Sequence, residues 1–415
     1  MQAASPTPPP FTGLKVVELA DDIAGEYEGR LLAEMGAEVV KIEPPSGARS
    51  RRIGPFAAPK SGEGGRADPD ASLAFWYYNS NKASVVLDLA SGPGRSSFDA
   101  LVAAADILVI ALQPRTLAAL GLDLKALAER HEWLIVVSVT PFGLTGPWAD
   151  YKSSDLVGLA LGGPLNSCGY DDHSIPPIRP GGDQAYHTAA SFAHIGVMLA
   201  LLERQQTGRG QLVDVSMHDA CAVNVELANP YWFYPRVHVH RQTCRHAQPS
   251  PTQSALFRTA DDRYVYFTLI LSDGKLWQAL VQWMDAKGMA AQLVEPEFSD
   301  LAYRQERFHE IQELAECFFQ VMDADTAYRE GQAAGLPIGV LNAPEDLFHD
   351  EHLKARNFFV EVEHEGRGPV LYPGASYRFS AFAETPRTAA PRLGEQTQAV
   401  LARLDAAHRS KETAG

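Results

Sequence analysis

Short apolar runs alternating with amphipathic stretches set the pattern of the first 160 or so residues. "LKVVELA" (14–20) is β-rich, "GEYEGRLLAEMGA" has helical spacing, and "EVVKIE" (38–43) is again strand-like. That is a βαβ unit, which favours a parallel sheet with helices on its faces. "SVVLDL" (84–89), "DILVIAL" (106–112) and "LIVVSV" (134–139) predict further strands, with helical patterns around 94–105 and 122–130 between them. The expected architecture is α/β, a large doubly wound, Rossmann-like domain. After Asp183 the run "QAYHTAASFAHIGVMLALLERQQTGRG" predicts one long helix that stops at Gly208. "QLVDVSM" (211–217) predicts another strand, and the helix begun by "HDACAVNVELA" is broken by the aromatic run "YWFYP" (231–235).

The pattern then changes. "PPSGARSRRIGPFAAPKSGEGGRADPDAS" (44–72) has the composition of a long functional or mobile loop. Residues 236–260 are polar without periodicity and are expected to cross between domains. "RYVYFTLI" (263–270), amphipathic helices near 274–284 and 304–322, and "GLPIGVL" (335–341) predict a smaller inserted α+β domain. "FFVEVEHEGRGPVLYPGASYRFS" then predicts strands and turns. The expected division is a first part of the large domain over 1–225, a crossing and small domain over 226–344, and a return to the large domain over 345–415.

Composition narrows the function classes. The chain of 415 residues is 46% hydrophobic and 21% charged, long enough to bury its cores without staples. Its net charge of -15 argues against general nucleic-acid binding, so an anionic ligand would need a local basic pocket. Cys168, Cys221, Cys244 and Cys317 are scattered, with neither disulfide nor zinc-ribbon spacing. The start, "MQAASPTPPPFTG", lacks the basic and apolar regions of a leader, and no apolar run is read as membrane-spanning. A reduced, cytoplasmic enzyme is expected, with no membrane and no nucleic acid.

Phosphate-loop, dinucleotide and metalloprotease motifs are absent. "HVHRQTCRH" collects His238, His240, Cys244 and His246 without a recognised ligand spacing, so no metal is expected; its plain reading is a solvated or cleft-lining loop. "GGDQAYH" (181–187) places Asp183 on a glycine turn before the long helix. An aspartate there is a preferred N-cap. A helix N-terminus also favours an ionised carboxylate, and a carboxylate on an open turn can act as a covalent nucleophile. Both readings stay open. "NSNK" (79–82) is likewise either an Asn-rich turn before a strand or a phosphate contact through Lys82.

Several stretches taken together resemble the class III CoA-transferases, the group containing formyl-CoA transferase and carnitine CoA-transferase. "GLKVVELADDIAGEYEGRLLAEMGAEVVKIEPPSG" is similar to the N-terminal signature; "NSNKASVVLDL", "TGRGQLVDVSMHDA", "GLPIGVLNAPEDLFHDEHLKARNFF" and "PRLGEQTQAVL" follow in the family's order, over about residues 12–402. The resemblance implies an interlocked dimer of large and small domains. It makes Asp183 the catalytic residue, forming an aspartyl anhydride and then an aspartyl-CoA thioester. It places CoA contacts at Ile23 and Ala24, at Asn79, Ser80, Asn81 and Lys82, and at Lys152, Ser153, Ser154 and Asp155. Arg49, Arg51 and Arg52 are candidate phosphate partners or surface charges.

The chain departs from the family pattern at Ala83, Ala111, Arg115 and Ala119, where Arg, Asn, Gly and a basic residue are usual. Those departures raise a heteromeric assembly, a heterodimer or heterotetramer with a related subunit, beside a homodimer. The substrates implied are an acyl-CoA, with succinyl-CoA as donor, and an aromatic or dicarboxylic acid such as benzylsuccinate. Two alternatives remain. One is an α-methylacyl-CoA racemase-like enzyme, disfavoured because Ser154 stands where that subgroup has a histidine base. The other is a catalytically silent partner subunit.

Overall fold

The computed structural model describes residues 7–57, 68–225, 228–269 and 271–412, with side chains to residue 406. Residues 58–67 of the long loop, the expected 225/226 boundary and the last residue of the 263–270 strand lie wholly or partly outside the described residues. Two compact units emerge: Met1–Gly163 with Gly181–Asn224 and Glu351–Gly415, and Pro164–Pro180 with Val225–Asp350. The sequence pattern had kept 164–180 in the first domain; by packing it belongs to the second unit.

The larger unit is built on six parallel strands: β1 (Lys15–Ala20), β2 (Glu38–Glu43), β3 (Lys82–Val86), β4 (Ile107–Ala111), β5 (Ile135–Thr140) and β6 (Leu212–Ser216). Their order across the sheet is β3-β2-β1-β4-β5-β6. β4 and β5 are buried along their whole length, as strands covered on both faces must be. Eight helices accompany them: α1 (Ile23–Glu34), α2 (Leu73–Asn79), α3 (Gly92–Ala103), α4 (Pro114–Ala119), α5 (Leu124–Arg130), α6 (Asp155–Leu161), α7 (Gln184–Thr207) and α8 (Met217–Ala222). Strand periodicity sorts the faces. Val17, Leu19, Leu108, Ile110 and Val136 pack with Phe98 of α3 and Leu124 and Leu127 of α5. The opposite face meets α1 and α7.

α7 buries Ala185, Ala189, Ala193, Val197 and Ala200 at helical spacing, and these small side chains let it lie close to the sheet. It ends at Gly208, whose φ of 74° is the left-handed cap a glycine supplies without strain. By length and composition α7 is apolar enough to cross a membrane, which corrects the expectation that no run would be; here one face of it is packed on β5, β6 and α1.

Between the sheet and α1 the larger unit buries a charged network. Lys41 Nζ on β2 donates to Glu18 Oε1 at 2.8 Å and Glu26 Oε1 at 2.9 Å, and Lys82 Nζ pairs with Glu18 Oε2 at 2.7 Å, all four side chains being inaccessible to water. Burying these charges is tolerable only because each has a partner.

The smaller unit contains α9 (Ala228–Phe233), a hairpin of β7 (His240–Gln242) and β8 (Arg245–Gln248), and an antiparallel sheet of β9 (Leu256–Arg258), β10 (Tyr264–Phe267) and β11 (Ile338–Val340), ordered β11-β10-β9. α10 (Gly274–Ala286), α11 (Leu301–Glu306), α12 (Phe308–Phe319) and α13 (Ala324–Ala333) complete it. Phe257, Phe267, Trp283, Phe318 and Phe319 form its core. The one helix expected over 304–322 is two, broken at Arg307. The chain then returns to the larger unit through α14 (Glu351–Ala355), a hairpin of β12 (Phe359–His364) and β13 (Gly368–Pro373), and α15 (Thr397–Glu412), which packs on β3 and α3.

Candidate active site

Gly182 takes φ 67°, and the chain turns through Asp183 (φ -49°, ψ 61°) into α7. At this N-cap position the Asp183 side chain makes no capping bond. The amide of Ala185 donates instead to Oδ1 of Asp155, the buried first residue of α6, at 2.8 Å. The plain capping reading of Asp183 is therefore not met: another carboxylate performs that duty, and the half-buried Asp183 carboxylate is directed elsewhere.

It meets Tyr78, whose hydroxyl lies 3.4 Å from Asp183 Oδ2 and 2.9 Å from Nε2 of His187, one turn into α7. Tyr27 of α1 lies against the His187 ring at a centroid distance of 4.5 Å, and Tyr77 meets Tyr78 edge-on at 4.9 Å. Arg30 covers Tyr77, its guanidinium 3.9 Å from the ring centre. The electrostatics follow from this enclosure. Burial, then the Asp183 charge, pushes the Tyr78 hydroxyl well above its ordinary range, so it stays protonated as a donor. Burial pulls His187 down, with Asp183 opposing, so the ring is held toward its neutral form.

A cavity of about 400 Å³ opens where the carboxyl ends of β1, β4 and β5 converge, at the point where strand order reverses about β1 and β4. Open parallel sheets bind ligands at that switch point. Asp22, Arg49, Ala111, Arg115, Lys152 and Tyr186 line it, and Ser153 contributes to its wall. Arg49, Arg115 and Lys152 bring three cations to a lining that also holds Asp21 and Asp22. Asp22 caps α1 by accepting from the Gly25 amide at 3.1 Å, and burial pushes its carboxyl up to about 7.

The structure thus gathers some of the expected ligand residues and separates others. Lys152 and Ser153 face the cavity; Ile23 and Ala24 are buried in the first turn of α1, directly after Asp22. Ser154 accepts from the Val157 amide as the cap of α6. Asn79 and Lys82 sit inside the charged network: Lys82 Nζ donates to Glu26 O at 2.7 Å and Asn79 Oδ1 at 2.9 Å. The Ser80 hydroxyl is buried without a partner among the described residues, and Asn81, at φ 64°, accepts from the Thr388 amide. Of the three loop arginines Arg49 alone lines the cavity; Arg51 is buried on Glu43 and Asp70, and Arg52 donates to Ser46 O. Sequence reasoning missed Tyr78; the aromatic run "FWYYN" immediately before "SNK" was the available signal.

The model of CoA-transferase family III matches residues 11–397. The chain belongs to that family. Across 94% of its length and 93% of the relative, it is 32% identical to the succinyl-CoA:(R)-benzylsuccinate CoA-transferase subunit BbsE of Thauera aromatica. It is 30% identical to the succinyl-CoA–L-malate CoA-transferase alpha subunit of Chloroflexus aurantiacus, covering 95% of this chain and 89% of that one. Among solved structures, a CAIB/BAIF family protein from Brucella suis superposes with a TM-score of 0.82 at 26% identity, covering 96% of this chain and all of the other. The chain is an enzyme of the acyl-CoA:carboxylate CoA-transferase type. Among the described residues no cluster of metal-ligating side chains occurs.

Proposed function

We propose that this enzyme moves CoA from succinyl-CoA to a dicarboxylic acid of the benzylsuccinate or malate kind, with Asp183 as nucleophile. The carrying observation is that the Asp183 carboxylate is released from helix capping by Asp155 and held by Tyr78. The carboxylate attacks the donor thioester carbonyl, forming the mixed anhydride as CoA thiolate leaves. The thiolate attacks the aspartyl carbonyl, giving aspartyl-CoA thioester and the donor acid. The acceptor carboxylate attacks that thioester, and the released thiolate takes the acceptor acyl group and restores Asp183. One activated acyl is exchanged for another at each step, so no external energy source is needed. Tyr78, kept protonated, can donate to the oxyanion that develops at the aspartyl carbonyl, with His187 Nε2 behind it. The cavity at the strand ends takes CoA, with Arg49, Arg115 and Lys152 toward its phosphates.

The assembly is an interlocked pair, either of two copies or of this chain with a related subunit, in the cytoplasm. The exposed Phe192, Ile195, Leu199 and Leu202 along α7 support a partner, as do relatives that are themselves subunits. The test is CoA exchange from succinyl-CoA onto a panel of dicarboxylic acids with mass detection of products, with Asp183→Asn beside the unaltered chain. Asp183→Asn abolishes exchange and hydroxylamine trapping during turnover while leaving the fold intact; near-normal turnover in the variant would refute the role of Asp183.

A further inference from the structure

We propose that the smaller unit carries its own binding pocket for a carboxylic acid with an apolar body. The β7–β8 hairpin, the residues just after it, and Asp171 and His173 line an open cleft of about 410 Å³, with His240, Arg241 and Arg245 among the lining residues. This volume lies in the lower part of the range of small-molecule sites.

The charges in the lining do not balance. Asp171 is its one carboxylate, and it is taken by Arg245, which also donates to Thr252 O at 2.9 Å. Arg241 donates to the Ile175 carbonyl at 2.6 Å and has no carboxylate partner among the described residues. Asp172 is outside the lining, accepts from both the amide and the hydroxyl of Ser174, and lies near enough to Arg241 to feel its charge without forming an ion pair with it. The Nε–H groups of Arg241 and Arg245 are enclosed without an acceptor among the described residues. An enclosed guanidinium N–H with no acceptor is costly, and a further acceptor brought in by a ligand would complete it. Arginine's planar fork suits a carboxylate.

The rim and walls select further. His173 and His240 stack with ring centres 5.6 Å apart, and His173 Nε2 lies 3.0 Å from the Arg241 carbonyl, which fixes the rim on the same strand that supplies the cation. Pro249 and Pro251 add apolar surface to the lining. Arginine forks in a lining that also offers proline surface favour an organic acid over inorganic phosphate, and two arginines repel a metal ion. All of these residues belong to the smaller unit, so the proposal does not depend on Asp183.

The test uses the full chain without any acyl-CoA, so that no CoA exchange can occur, titrated with 2-benzylsuccinate, succinate and inorganic phosphate in parallel, and hydrogen-exchange mass spectrometry with the first of these. Saturable binding of 2-benzylsuccinate is expected, at least about tenfold tighter than phosphate or succinate, with slowed exchange in peptides covering 171–175 and 240–252. Arg241→Gln is expected to weaken it by about tenfold or more. Because Arg241 also holds Ile175, the exchange result on the chain with Arg241 intact decides if that variant does not fold. No saturable binding below about 10 mM, protection confined to other segments, or phosphate binding as tightly as the acid would overturn the proposal.

Discussion

Tyr78 and Asp183 are 105 residues apart in the chain and 3.4 Å apart in space, and this separation explains what a linear reading can find. Asp183 is legible because its glycine turn and its helix are local. Tyr78 is not, because nothing beside it in the chain announces its partner. The proposed donor role gives a sharp expectation: Tyr78→Phe keeps the ring packing with Tyr27 and Tyr77 but removes the proton, and lowers kcat by about 100-fold with a smaller effect on KM. Steady-state kinetics with succinyl-CoA check it; an unchanged kcat would remove Tyr78 from the mechanism. At the cavity, Arg115→Ala is expected to raise KM for the acyl-CoA by roughly 10- to 100-fold, the loss of a charge-assisted contact, while leaving kcat near normal. Lys82 shows the opposite limit of legibility. Its motif is readable, but its burial on Glu18 and Glu26 depends on strands and a helix meeting in three dimensions; burial brings its ammonium down to about 8.

α7 brings Tyr186 and His187 to the candidate site, with Asp183 at its cap, and its two faces differ in kind. Its alanine face is buried on the sheet, while Phe192, Ile195, Leu199 and Leu202 are 39–62% exposed at helical spacing. A lone exposed leucine means little, whereas a run of apolar side chains along one helix face is the surface on which the proposed partner would pack. Leu199→Asp is expected to leave the sheet packing alone and disrupt assembly, read by sedimentation velocity; the same sedimentation as the unaltered chain would argue against the stripe as the contact. The long periodic elements, α7 and all six strands of the parallel sheet, were legible from hydrophobic pattern. α2, α4 and α6 were not: six or seven residues hold too few turns to show a period, and tertiary packing, with caps such as Ser72 and Ser154, fixes them. The β7–β8 hairpin escaped for a related reason, because its strands are three and four residues long and mostly polar.

On the scale of the whole molecule, buried acids set the response to pH. Burial pushes Glu28 up to about 7, with His194 Nδ1 at 3.3 Å opposing. The folded state therefore keeps a proton that the unfolded chain releases near its ordinary value of 4.5. The contribution is present below that value and is lost as pH rises through about 7, so Glu28→Gln should become more stable relative to the unaltered chain between pH 5 and 8, by up to roughly 3 kcal/mol. Denaturant titrations of both proteins across that range read the difference directly, and parallel curves would show that Glu28 is ionised in the fold. The division into units has a practical consequence for anyone cutting the gene. The chain passes between the units four times, after residues 163, 180, 224 and 350. A fragment taken as the contiguous block 225–350 would leave 164–180 behind, and with it the Ile175 carbonyl that holds Arg241, the Asp171 amide that donates to Thr243, and His173. Transplanting the smaller unit between relatives therefore calls for moving two segments at once, and the shorter of them ends three residues before Asp183, the proposed nucleophile.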